Sequence, residues 1–167
     1  TGTIGVLGCL SFNGNKIITS GGGGMIITDD FKIAEKAKYL SEQAKDNPVK
    51  YIHNEIGYNF RLTNIQAAIG LAQLEKINHY LKRKRVIFDI YSKELSSIDG
   101  AKINSTPDYS INNHWLNSIS IDQRKLDKNC DTLISMYQSN KIQTRPIWYP
   151  NHLQKPYNKS QSYNITR

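Results

Sequence analysis

Apolar positions along this chain change period several times, and the changes divide it into short elements. Two apolar runs, Val6 to Phe12 and Met25 to Thr28, read as short strands, and the small and polar stretch between them ends in four consecutive glycines, Gly21 to Gly24. Ile33, Ala37 and Leu40 fall at helical spacing, so Asp30 to Ala44 is predicted as a helix capped by Asp29 or Asp30. Asn47 and Pro48 interrupt that pattern, and Tyr51 to Phe60 mixes aromatic and polar residues as a loop does. From Thr63 toward Leu95 the helical period returns, with Ile65, Ala68, Ile69, Ala72, Ile77, Leu81 and Ile90 marking a stripe predicted to be buried and Thr63 or Asn64 as cap. A single helix beyond ~25 residues usually bridges domains or lines an interface.

Past Asp99 and Gly100 the texture turns polar, with Pro107 and the stretch Ser110 to Asn113, and a small alternating unit follows. Trp115 to Ile121 reads as a strand, Lys125 to Asn140 as a helix carrying Leu126, Cys130, Leu133, Ile134 and Tyr137, and Ile142 to Trp148 as a second strand. That pattern predicts a helix packed on a small sheet. The polar tail KSQSYNITR does not by itself look like the end of a domain.

Composition narrows the class. The 167 residues, 38% of them hydrophobic, are globular in character and suffice for a sizeable core. No run approaches the ~18 to 20 apolar residues of a membrane span, and no secretory pattern opens the chain. Cys9 and Cys130 lack metal-ligand spacing, which suits two free thiols in a reducing cytoplasm. The net charge of +8 admits nucleic acid, a membrane surface or an anionic substrate as partner. Its densest cluster, Lys82 to Arg85, falls within the predicted long helix without the interleaved aromatics of a stacking platform, and so reads as a solvated helix face. An RNA-binding domain has only the charge in its support and would need steep salt dependence.

The residue that calls for chemistry is Lys16. It stands among small and polar residues before the glycine run, and a lysine near backbone that can approach a ligand closely is what Schiff-base chemistry requires. The same residues also fit an ordinary hairpin loop bearing a solvated lysine.

Three segments carry a family resemblance: SFNGNKIITSGGGGMIITDD from Ser11, HNEIGYNFRLTNIQAAIGLAQLEKI from His53 to Ile77, and RPIWYPNHLQKPY from Arg145 to Tyr157. In this order they resemble the lysine segment, the GYNYR block with its following helix, and the substrate-side block of the DegT-type sugar aminotransferases. These enzymes use pyridoxal 5'-phosphate (PLP) and have the aspartate-aminotransferase-like fold type I. NGNK and YIHNEIGYNFRLTN are most similar to the subgroup acting on UDP-linked 4-keto-6-deoxy-N-acetylhexosamines on routes to legionaminic acid or bacillosamine-like sugars. The resemblance implies an α/β fold, namely part of the PLP-binding large domain over 1–62 with the lysine loop, a connecting helix over 63–100, and an incomplete small α+β C-terminal domain over 101–167. It covers nearly the whole chain but only the C-terminal portion of the enzyme. The segments supplying the acidic partner of the pyridine nitrogen are not in it, so the chain alone is expected not to transaminate.

What the resemblance implies for residues is specific. Lys16 would hold the cofactor and serve as general acid and base; family members that are dehydratases carry histidine there. Ser11, five residues earlier, would donate to the cofactor phosphate, while the residues themselves also allow a strand serine bonded to backbone. Asn59 would reach the phosphate of the neighbouring subunit in a homodimer with shared sites, and Arg61 would lie close to the same site; a turn residue and a capping interaction are the structural alternatives. Tyr58 reads as an anchor. His152 would contact the hexose or its diphosphate, or be structural in its loop. The implied reaction is amino transfer from glutamate to the 4-keto carbon of a nucleotide-linked deoxysugar for surface-glycan synthesis. The competing class is a noncatalytic binding or interaction module retaining the fold.

Overall fold

The structure, a computed structural model, describes residues 2–157; the polar tail singled out above lies outside the described residues. Two compact units are present, one formed by 1–86 with 113–115 and the other by 87–112 with 116–167.

In the first unit, β1 (Gly8–Ser11) pairs antiparallel with β2 (Gly24–Ile27), Ser11 standing opposite Gly24. The predicted strands are therefore present, the first shorter than Val6 to Phe12. Helix α1 (Phe31–Ser41) follows, and of the two candidate caps Asp30 does the work: its carboxylate accepts from the amides of Lys32 (2.8 Å) and Ile33 (3.2 Å). Replacing Asp30 with alanine is expected to cost about 1 kcal/mol in denaturant unfolding, with no cost at the uncapping neighbour Asp29.

The predicted helix from Thr63 to Leu95 is two helices, α2 (Asn64–Leu74) and α3 (Ile77–Leu95). Thr63 begins the first through a reciprocal capping box with Gln66. The break falls at Glu75 and Lys76, where the Lys76 amide bonds to the Gln73 carbonyl (3.1 Å) in a tighter turn. The apolar stripe is also less covered than predicted. Ile65, Ile69 and Ile90 are 76%, 46% and 53% exposed, because no described element packs over that face.

In the second unit, β3 (Ala101–Ile103) pairs antiparallel with β4 (Ile119–Ile121). Only the last three residues of the predicted strand Trp115 to Ile121 join the sheet. The predicted helix Lys125 to Asn140 is interrupted: α4 (Gln123–Leu126) ends at Asp127, in the left-handed region at φ 49°, and α5 (Cys130–Ser139) restarts under an Asn129 cap. Asp122 caps α4, and the Arg124 guanidinium bonded to it holds its carboxyl below the usual range. Ile142 to Trp148 forms no strand among the described residues, and Ile147 and Trp148 are both 70% exposed. No helix of the described residues is long and apolar enough to cross a membrane.

Candidate active site

The loop joining β1 to β2 carries Lys16 and is braced at both ends. The Phe12 amide donates to Gly23 O (3.0 Å) and the Ser20 amide to Phe12 O (3.1 Å). Thr19 Oγ1 donates to Phe12 O (3.0 Å) and accepts from the Gly21 amide (2.9 Å). Ser20 is buried, its hydroxyl donating to Gly22 O (2.6 Å). At the tip the Lys16 amide bonds to Asn13 O (3.0 Å), so the lysine sits on a closed turn.

The glycine run serves this loop in a way the sequence did not indicate. Gly21 and Gly23 have φ near +80°, a conformation that side chains resist, and a Cβ on Gly23 would lie 2.6 Å from Leu62 Cδ1. Gly22 approaches Gln66 of α2, and Ser20 packs beside Gly70 of the same helix. The glycines thus let α2 close onto the lysine loop.

Lys16 is half-buried. Its Nζ lies 3.9 Å from the centre of the Trp115 ring, and among the described residues it has no ion-pair partner. Trp115 Nε1 donates to the carbonyl of the adjacent Asn15 (2.6 Å). Trp115 is held in turn by its own backbone: its amide donates to Asn113 Oδ1 (3.1 Å) and its carbonyl accepts from Lys84 Nζ (3.1 Å). His114 before it is buried at φ 49°, with Nε2 3.4 Å from Arg85 Nη1. Lys84, half-buried, and the exposed Arg85 of the basic cluster on α3 thus reach this segment, while Lys82 and Arg83 are exposed. Sequence reading missed Trp115, since its alternating surroundings read as a strand; the available signal was Asn113, an Asx-turn former.

Ser11 ends β1, and its Oγ accepts from the Asn13 amide at 3.4 Å, which leaves the hydroxyl proton to donate to an anion.

Asn59 and Arg61 belong to a segment built on the end of α1. Tyr58 N donates to Leu40 O (2.7 Å), Gln43 N to Tyr58 O (3.0 Å), and Phe60 N to Ser41 O (3.0 Å), so the backbone of 58–60 satisfies the last turn of the helix. Gly57 is required there, because a Cβ would fall 2.2 Å from Gln43 C and 2.3 Å from Ala44 N. Tyr58 and Phe60 stack with ring centres 5.1 Å apart, and Asn59 is left exposed between them. Arg61 pairs loosely with Glu42 at 3.7 Å and keeps 75% of its side chain exposed. Ser11, at the end of β1, and Lys16, on the loop that follows, belong to one hairpin and Asn59 and Arg61 to another segment, both in the first unit. His152 lies in the second, half-buried in a short 3-10 helix, Asn151–Leu153.

The 42–60 loop is fastened from within. Asp46 accepts from the Asn54 amide (2.7 Å) and the Tyr39 hydroxyl (3.0 Å), and the first of these leads in holding its carboxyl below the ordinary range. Burial and the Asp46 bond raise the Tyr39 hydroxyl. His53 Nδ1 donates to the carbonyls of Gln43 (2.8 Å) and Ala44 (3.2 Å). A depressed carboxyl stabilises the loop above the ordinary carboxylate range, and that contribution disappears as pH falls through the folded value. The Asn54 amide proton is therefore expected to titrate below the ordinary aspartate range and to lose that step in Asp46→Asn; a midpoint at or above it would refute the arrangement.

A family model for the DegT/DnrJ/EryC1/StrS aminotransferases matches residues 1–167. The chain belongs to the DegT/DnrJ/EryC1/StrS aminotransferase family. The chain is 37% identical over 166 residues to the putative pyridoxal phosphate-dependent aminotransferase EpsN of Bacillus subtilis, covering 98% of this chain and 42% of that protein. A GDP-perosamine synthase of Vibrio cholerae is 38% identical over 151 residues, 90% of this chain and 41% of its own length. The fold is shared with the aminotransferase TlmJ of Streptoalloteichus hindustanus at TM-score 0.85 and 24% identity, covering 99% of this chain and 44% of that one. The chain thus spans about two fifths of the length of the relatives it matches. PLP is the cofactor of this family. The donor set here fits it: a primary amine that has no ion pair among the described residues for the aldehyde, and at the strand end leading into the same loop a hydroxyl with its proton to give for the phosphate.

Proposed function

We propose that this chain carries the cofactor lysine of an enzyme that transfers an amino group from glutamate to the 4-keto carbon of a UDP-linked 4-keto-6-deoxy-N-acetylhexosamine. The observation that carries the reading is Lys16 itself, a primary amine without an ion pair among the described residues, on a doubly braced loop, in a chain that the aminotransferase family matches from end to end.

When bound, PLP supplies an aldehyde that condenses reversibly with amines and a ring that draws off electrons from the adjoining carbon. Lys16 Nζ would hold the cofactor and would serve as the general acid and base that moves a proton at the reacting carbon. The closed turn at its amide and the bracing of Phe12, Thr19 and Ser20 fix the backbone from which that side chain extends. Ser11 Oγ would donate to the cofactor phosphate. Asn59, exposed on a segment fixed to the end of α1, offers an amide donor to the phosphate of a second subunit, and Arg61 brings a charged fork near the same place. His152 contacts the hexose or diphosphate side of the substrate.

The exposed Tyr58–Phe60 stack and the uncovered face of α2 support a homodimer, since apolar surface of this kind is usually covered by protein. Mixing Lys16→Ala subunits with Asn59→Asp subunits then restores one intact site per heterodimer and recovers part of the activity. Heterodimers without recovery would contradict shared sites.

The reaction is tested with the full-length enzyme, PLP, glutamate and a UDP-4-keto-6-deoxy-N-acetylhexosamine, following 2-oxoglutarate and the amino sugar by mass spectrometry. Glutamate-dependent formation of both supports the reading. A strong preference for a GDP-linked keto sugar, the nucleotide in the name of the Vibrio relative, would correct the substrate, and no turnover with any nucleotide keto sugar would overturn the reaction.

A further inference from the structure

One side chain makes two contacts with the lysine loop. The face of the Trp115 ring lies against Lys16 Nζ, and its edge N–H bonds to the carbonyl of Asn15, a hundred residues earlier in the chain. We propose that Trp115 is a positioning residue for Lys16: its ring seats the lysine's ammonium and its Nε1–H fixes the backbone beside it. The inference rests on the reading of Lys16 as the cofactor lysine.

Two-point attachment is what distinguishes this from incidental packing. The backbone bond sets where the lysine stem begins, and the ring face sets where its nitrogen ends. The ring is itself held in place, because Asn113 and Lys84 fasten the backbone of Trp115 and the buried His114 turns the chain at a φ that most residues avoid. The kind of contact also matters. A carboxylate would hold an ammonium, but it would also accept its proton. An indole face attracts the cation through its quadrupole and accepts no proton, so the ring orients Lys16 Nζ without competing for the proton it carries. That suits a lysine that must wait beside the reacting centre between proton transfers.

The test is trace acetylation of the cofactor-free full-length protein with acetic anhydride at one neutral pH, mapped by peptide mass spectrometry with the other lysines as internal standards. Trp115→Leu is expected to raise the relative rate at Lys16 roughly threefold to tenfold, and Trp115→Phe, which keeps a ring face, to stay within about twofold of the parent. An unchanged rate in Trp115→Leu overturns the proposal, and so does a rise in Trp115→Phe equal to that in Trp115→Leu.

Should Trp115→Leu unfold and quicken all lysines together, the reciprocal measurement decides. In a background where every other tryptophan of the full-length protein is phenylalanine, Lys16→Ala is expected to raise acrylamide quenching of Trp115 about twofold, since the lysine stem no longer covers the ring, and unchanged quenching overturns the proposal. Failure here is separable from failure of the functional reading. Borohydride trapping of PLP on some other lysine would overturn that reading without altering the acetylation ratio, whereas trapping at Lys16 with an unchanged ratio would overturn only the role of Trp115.

Discussion

Lys16→Ala in the full-length enzyme is expected to lower glutamate-dependent amino transfer by a factor on the order of 10² to 10⁴ or more, because it removes both the attachment point of the cofactor and the group that moves the proton. The loop should survive the change. Its bracing runs through backbone atoms of Phe12, Asn13, Lys16 and Ser20 and through the hydroxyls of Thr19 and Ser20, none of which the substitution touches. What is lost structurally is the contact with Trp115, worth about 0.5 to 1 kcal/mol at a partly exposed site. Activity should therefore collapse while the unfolding midpoint barely moves. Activity within tenfold of the parent would remove Lys16 from the chemistry, and a large drop in stability would mean that the lysine is structural.

The second large effect is expected at a glycine with no chemistry of its own. Gly57→Ala would place a methyl group 2.2 Å from Gln43 C and 2.3 Å from Ala44 N, and both are backbone atoms that no rotamer change can move. The 57–60 segment must then separate from the end of α1, leaving Leu40 O and Gln43 N without their Tyr58 partners. Overpacking and unmade hydrogen bonds together predict a loss of about 2 to 4 kcal/mol in denaturant unfolding. Asn59 would lose its fixed position at the same time. Gly14→Ala is the control: an added Cβ there meets nothing within 4 Å, so stability should stay within about 0.5 kcal/mol. Equal effects at the two glycines would show that the 57–60 segment is not built on the helix end.

How far this fold was legible depended on the distance over which each feature is decided. The Asp30 and Thr63 caps were readable because a cap is settled within three residues, and so were the strands on either side of the lysine loop. The break between α2 and α3 was not, since Leu74 and Ile77 continue the apolar period across it and no glycine or proline marks it. Ile142 to Trp148 has the pattern of a strand, but a strand exists only with a partner, and the sequence does not show whether one comes. The glycine run was read for its freedom beside a ligand, whereas its close neighbours are protein: a Cβ would meet Leu10 O of the paired strand at Gly24 and Leu62, ahead of α2, at Gly23. At the candidate site, Lys16, Ser11, Asn59 and Arg61 came from the resemblance of whole segments. Trp115 came from neither route: its bond to Asn15 spans a hundred residues, and no local period predicts such a contact.

The central claim is that Lys16 is the lysine that holds the cofactor. The most direct measurement loads the full-length enzyme with PLP, reduces it with borohydride and maps the pyridoxyl group by peptide mass spectrometry. The account predicts a single stoichiometric modification on Lys16, absent from Lys16→Ala. A modification on another lysine, or one scattered over several, would contradict it.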